Sequence, residues 1–187
     1  AAIPELVPAL SSTNLEVQTQ AQLDLHAAGS HAGRPGAEGE RQAVCLEMCA
    51  ALDKGLPTMV ASRLIQNLQR IGGAESVPAL VGQLGAGDVH VRDGARRALA
   101  VNPSPEAGQA LAAQLKMRKA RDVRETAGLI QAMGERKEAG ASRLIVPYVA
   151  NGDPRIFAAA IKALSRLDEP AGIQALAGQR AKETGNR

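Results

Sequence analysis

One periodicity constrains this chain more than any motif in it. Leu80, Leu111, Leu144 and Leu176 recur at separations of 31, 33 and 32 residues, each on the first of two amphipathic helical segments joined by a polar turn. The second segment keeps the same register: Val91, Val123 and Ile156 are equivalent, and Ala95, Ala127 and Ala160 follow each by four positions. A period of about 32 residues with two helices per unit specifies stacked helical hairpins, because one hairpin cannot bury its apolar face without a neighbour. The predicted fold class is therefore all-α, an α-solenoid of five to six hairpin repeats. The units occupy residues 3–28, 37–72, 74–102, 105–134 and 138–168, with a partial unit at 169–187, all in one domain spanning 1–187.

Composition agrees with this architecture. Aromatic residues are 1% of the chain, with no Trp, so Ala, Leu, Val and Ile must fill the interior. Small side chains let helices approach closely, and Ala and Leu are strong helix formers. No segment alternates β-branched or aromatic residues with period two, so no strand is expected. The net charge of +3 comes from interspersed charges of both signs, unlike the clustered basic footprint of a dedicated nucleic-acid binder. Apolar runs are too short and too interrupted to predict a transmembrane helix. Cys45 and Cys49 lie four apart on a helical pattern, where Cβ atoms are about 5–6 Å apart, wider than the roughly 3.5–4.5 Å a disulfide needs. The opening Ala1-Ala2-Ile3-Pro4 has no initiator Met, which points to a processed product or a fragment.

Local signals divide the units. The first runs from Ile3 to Leu10, turns at Ser11–Asn14 with Asn14 as a helix cap, and continues with Leu15, Leu23 and Leu25. Gly29–Gly36 is dense in breakers and predicts the longest loop of the chain. The second unit pairs Ala37–Asp53, with Val44, Met48 and Leu52 on one stripe, with a helix after Pro57. Val60, Leu64, Ile65, Leu68 and Ile71 of that helix form a buried face, and Gly72-Gly73 ends it. The third pairs Ala74–Leu84 with Val89–Val101, closed by Asn102-Pro103-Ser104-Pro105. The fourth pairs Glu106–Lys116 with Asp122–Met133 across a turn at Met117–Arg121. The fifth pairs Glu138–Ala150 with a helix from Pro154 to Leu167. The sixth begins at Glu169-Pro170 and lacks a second helix, so the natural chain is expected to continue or a partner to cover this end.

Asp88-Val89-His90-Val91-Arg92, echoed by Asp122-Val123-Arg124 and Asp153-Pro154-Arg155-Ile156, resembles the turn signature of the HEAT-repeat family. Glu75–Leu80 is similar to the family's first helix and Ala95–Leu99 to its second. The resemblance spans about Ala37 to Pro170 and implies a right-handed superhelix that binds other macromolecules, with second helices lining its concave side. It also implies an Asp–Arg ladder between repeats, to which Asp88, Arg92, Arg124 and Asp153 would contribute. Phe157 departs from the pattern where Arg92 and Arg124 are matched.

Two constellations invite chemistry, and both have plainer explanations. His26, His31, Cys45 and Cys49 read His-x4-His followed by Cys-x3-Cys, a zinc-ligand spacing in reverse order. Both cysteines lie beside the Val44, Met48 and Leu52 stripe, however, which places them in the core as small hydrophobes. Gly33–Gly39 is glycine-rich and precedes a helix, but no strand precedes it and no Lys-Ser or Lys-Thr follows, so neither nucleotide fingerprint is met. No nucleophile with a base and no paired carboxylates stand out. No cofactor, metal or catalytic residue is expected, and the chain is not read as an enzyme.

Charge placement is the more useful signal. Across units two to five the second helices and their turns, including Arg118, Lys119 and Arg121, total +7, while the first helices total about −4. Arg63, Arg70, Arg92, Arg96, Arg97, Arg124, Arg155, Lys162 and Arg166 are the candidate binding residues. The expected function is a non-catalytic scaffold or adaptor whose second helices hold a protein or peptide, one of acidic character. The alternative is a nucleic-acid-binding repeat module using the same arginines, weakened by the lack of aromatic platforms for bases. A repeat-fold lyase or glycosylase would need polar catalytic groups and aromatics on the concave side, and neither is found.

Overall fold

A computed structural model describes residues 3–118 and 122–185. Among these, eleven α-helices and two 3₁₀ turns follow one another with no strand. They are α1 (Ile3–Leu10), α2 (Leu15–Ala32), α3 (Glu38–Leu52), α4 (Thr58–Ile71), α5 (Val77–Gln83), α6 (Val89–Val101), α7 (Pro105–Arg118), α8 (Val123–Arg136), α9 (Ala141–Ile145), α10 (Pro154–Leu167) and α11 (Pro170–Gly185). The 3₁₀ turns, Ala74–Ser76 and Val146–Ala150, precede α5 and follow α9. The chain divides into two compact units, Ala1–Ala107 and Gly108–Arg187, the division falling within α7. No described helix is long and apolar enough to cross a membrane. Lys119, Ala120 and Arg121, in the expected turn of the fourth repeat, lie outside the described residues, as do Asn186 and Arg187.

Short polar residues start the helices where the repeat signature places them. Asn14 accepts hydrogen bonds from the amides of Glu16 and Val17, Asp88 from those of His90 and Val91, Asp122 from that of Glu125 and Asp153 from that of Arg155. Each satisfies amides that have no partner within the helix. Apolar stripes then pair the helices. In the first unit α3 contributes Cys45, Met48 and Leu52, α4 contributes Val60, Leu64, Ile65 and Leu68, and α6 contributes Val91, Ala95 and Leu99, all buried; α4 packs on α2 and α6. In the second unit Leu129, Ile130 and Met133 of α8 are buried, as are Ile156, Ala160 and Leu164 of α10, and the two helices pack together.

Three sequence expectations need correction. The loop expected at Gly29–Gly36 begins only at Gly33, because α2 continues through Gly29, Ser30, His31 and Ala32. Gly29 is buried there, and a Cβ on it would stand 2.6 Å from Asn67 Oδ1, so its bare backbone lets α2 approach α4 instead of ending the helix. Of the leucines that α2 carries only Leu25 is buried: Leu15 and Leu23 are 72% and 59% exposed, and the buried stripe is Ala21, Leu25, Gly29 and Ala32. Leu23 lies two residues from Leu25, about 200° around the helix, which turns it outward.

In α8 the fully buried small residue is Thr126 while Ala127 is half-buried, so the packing register is offset by one from the alignment with Ala95 and Ala160. The first helix of the fifth repeat is short, α9 giving way to a 3₁₀ turn at Val146, where Pro147 has no amide to continue the α-helical ladder. As a result Ile145 is fully buried in that repeat and the marker Leu144 is half-buried.

Candidate functional site

The outward stripe of α4 consists of Met59, Arg63, Gln66 and Arg70, all exposed. Their spacing of four, three and four keeps them on one side of the helix, opposite Leu64, Ile65 and Leu68. Thirty-one residues later α6 repeats the spacing with His90, Gly94, Arg97 and Val101; all but the half-buried Gly94 are exposed. Neither stripe contains a carboxylate. Arg70 Nη2 donates to Ser30 Oγ at 2.9 Å, which aligns α2 with the same side of the unit. The guanidinium groups of Arg63 and Arg97 form no hydrogen bond or ion pair with a described residue.

Of the other candidate cations, all but Lys162 are engaged. Arg92 Nη1 donates to Ala86 O at 2.7 Å and Gly87 O at 2.8 Å, so this guanidinium holds the turn before its own helix. Arg96 is half-buried, with Nη2 3.9 Å from Asp93. In the second unit Arg155 pairs with Asp153 at 3.2 Å and Arg166 with Glu135 at 3.5 Å. Arg124 is exposed and already engaged, while Lys162 is exposed with no pair among the described residues. The side chains of Arg118, Lys119 and Arg121 lie outside the description. Asp88 and Asp153, expected in a ladder between repeats, serve as caps of their own helices, and Asp153 also binds Arg155 of its own turn.

Sequence reading missed a set of acidic residues at the starts of the repeats. Glu75 Oε1 accepts from Arg41 Nη1 at 2.5 Å and from the Gly73 amide at 2.9 Å, and Arg41 Nη1 also donates to Ile71 O at 2.8 Å. Burial alone would raise the Glu75 carboxyl, but the Arg41 and backbone donors outweigh it and hold it below the ordinary value. Glu169 accepts from the Gly140 amide at 2.6 Å and the Ser142 amide at 3.1 Å, and it also bonds the Ser142 hydroxyl. These donors lower its pKa, the Ser142 hydroxyl most strongly. Glu138 pairs with Arg136 at 3.2 Å, and its carboxylate lies where a Cβ on Gly108 would go. The signal was present, since Glu75, Glu106, Glu138 and Glu169 recur at 31, 32 and 31 residues. Buried Asn102 was also read as a turn residue only, yet its side-chain amide donates to Gly73 O at 2.9 Å and Ser76 Oγ at 3.1 Å.

The histidines and cysteines of the zinc-like spacing face different surroundings. His26 is exposed, and His31, also exposed, lies 3.6 Å from Glu40. Cys45 and Cys49 are buried as free thiols, their Sγ atoms directed at Ile71 O and Glu75 O. Burial foremost, with the nearby Glu75 and Asp53 carboxylates, pushes Cys45 up to about 12 and Cys49 up to about 11. Among the described residues no three His, Cys, Asp or Glu side chains are grouped to hold a metal ion.

Successive hairpins with buried aliphatic stripes and polar outer stripes define the class: a helical-hairpin repeat protein, an α-solenoid. Residues 46–130 match the family model of HEAT repeats. Over that segment the chain is similar to HEAT repeats. The structure is similar to a chain in the structure of the complex of CpcE and CpcF of phycocyanin lyase from Nostoc sp. PCC7120, with a TM-score of 0.58 and 20% identity over 92% of this chain and 67% of that one. It is also similar to an engineered protein, with a TM-score of 0.50 and 22% identity over 98% of this chain and 87% of that one. No curated protein matches the sequence.

Proposed function

We propose that this chain is a non-catalytic scaffold that binds a protein or peptide through the outward faces of its second helices. The observation that carries this reading is the pair of exposed stripes on α4 and α6, where the guanidinium groups of Arg63 and Arg97 have no partner among the described residues while the opposite faces are consumed by the core. Large exposed side chains kept free of internal pairing are available for recognition. In the HEAT arrangement the second helices line the concave side, which would make these stripes part of the inner surface. The similarity to a complex of two chains supports a protein partner.

The non-catalytic part of the proposal rests on the chemistry of the side chains present. Both thiols are buried with strongly raised pKa values, which keeps them in the unreactive protonated form. The carboxylates with depressed pKa values are bound by amides, a hydroxyl or guanidinium groups at helix starts.

Affinity capture from the native source, with and without nuclease, tests the scaffold reading. Protein partners that persist after nuclease are the expected result. Partners that vanish with nuclease would replace it with the nucleic-acid reading.

A further inference from the structure

From the two stripes in the first unit we infer that this chain binds an acidic peptide segment carrying bulky apolar side chains, held by Arg63, Arg70 and Arg97 and flanked by Met59 and Val101. The assignment deepens the scaffold reading and rests on it. Three facts set the chemistry. First, three guanidinium groups stand on adjacent packed helices with one hydrogen bond among them, Arg70 to Ser30, and with no carboxylate in either stripe to neutralise them. Each guanidinium has five N–H donors in a planar fork suited to carboxylates, so nearly all of that donor capacity faces outward unused.

Second, the large apolar side chains on these stripes do not retreat into the core. Met59 is 51% exposed at the start of the α4 stripe and Val101 is 56% exposed at the end of the α6 stripe. They bracket the arginines at opposite ends, so a ligand that satisfies the charges also meets an apolar contact on each side. An unbranched Met adapts to varied apolar partners. Third, the spacing sets the reach. Arg63 and Arg70 are seven residues apart, about 10.5 Å along the helix axis, so an extended segment crossing both would place acidic groups roughly three residues apart.

The apolar bracket separates a peptide from a nucleic-acid strand, because a phosphate backbone has no use for Met59 and Val101 and its bases need flat stacking partners. The aromatic side chains of this chain, Tyr148 and Phe157, both lie in the second unit.

The test is selection of a random twelve-residue peptide library on the whole 187-residue chain, followed by affinity measurement of the enriched peptides. Enrichment of sequences that combine Asp or Glu with Leu, Phe or Ile is expected. Substituting Arg63→Glu, Arg70→Glu and Arg97→Glu together should weaken those peptides by more than about tenfold. All three are exposed, so circular dichroism and the melting temperature should stay near the parent's. Met59→Ser with Val101→Ser should weaken the same peptides without changing their salt dependence. Arg155→Glu with Arg166→Glu in the second unit should leave them bound.

Enriched peptides without acidic bias would overturn the assignment. So would acidic peptides that ignore the triple variant, or a labelled single-stranded 20-mer that binds more tightly than any selected peptide. Peptides that bind yet respond only to the second-unit variant refute this site and leave the scaffold reading standing. Loss of captured partners on nuclease treatment refutes the scaffold reading itself.

Discussion

Glu75 joins two repeats through one carboxylate, since it binds Arg41 of α3 and the Gly73 amide that precedes its own 3₁₀ turn. Its side chain is 10% exposed and that of Arg41 27%, so water screens the pair only in part. Glu75→Gln should cost about 1–2 kcal/mol by leaving a half-buried guanidinium without its counter-charge. For a chain of this size that is roughly 2–8 °C of melting temperature. The pH dependence has a definite sign. Because the folded carboxyl lies below the ordinary glutamate value of 4.5, the stabilisation is fully present above that value and lost as pH falls through the folded one. Urea unfolding at pH 7 and pH 3 checks this: parent and variant should differ at pH 7, and the gap should narrow at pH 3. An equal gap at both pH values would mean the charge on Glu75 is not the source. The glutamate recurrence was visible in the sequence, but its role was not, because the donors come from residues up to 34 positions away.

At the scale of the helices, glycine separates two opposite outcomes. A Cβ on Gly134 of α8 would stand 2.7 Å from both Cα and Cβ of Ala163 on α10, so the close approach of these helices depends on its absence. Gly134→Ala should push them apart and cost about 1–3 kcal/mol. Gly82 in α5 has open space where a Cβ would go, so Gly82→Ala should stabilise by about 0.4–1 kcal/mol through reduced freedom of the unfolded chain. Thermal melts of the two variants should move in opposite directions, and a neutral Gly134→Ala would show that α8 and α10 can separate without loss. Helix starts were legible because a cap is a local event: Asn14, Asp88, Asp122 and Asp153 each bond amides two or three residues ahead. Gly29 was not legible, because its reason lies on α4, in the side chain of Asn67.

For the molecule as a whole, stability should come from helix packing with its internal hydrogen bonds and ion pairs, without a contribution from a metal or a disulfide. A chelator is expected to leave the melting temperature unchanged, and Ellman's reagent at pH 8 should titrate no thiol until the chain unfolds, when both Cys45 and Cys49 react. A drop in melting temperature on chelation would restore the His26, His31, Cys45 and Cys49 metal site. The sequence by itself determined the helical class, the hairpin period, the caps and most of the buried stripes, since each depends on side chains within one or two turns of the same helix. Tertiary structure decided which cations remain available. Of the nine candidates, Arg92 is held by turn carbonyls, while Arg155 and Arg166 are held by carboxylates. Among the described residues the side chains of Arg63, Arg97 and Lys162 stay unpaired, and Arg70 bonds Ser30 of α2. A guanidinium reaches several ångströms from its backbone, so its partner is set by whatever the packing of neighbouring elements brings within that reach, which helical periodicity does not encode.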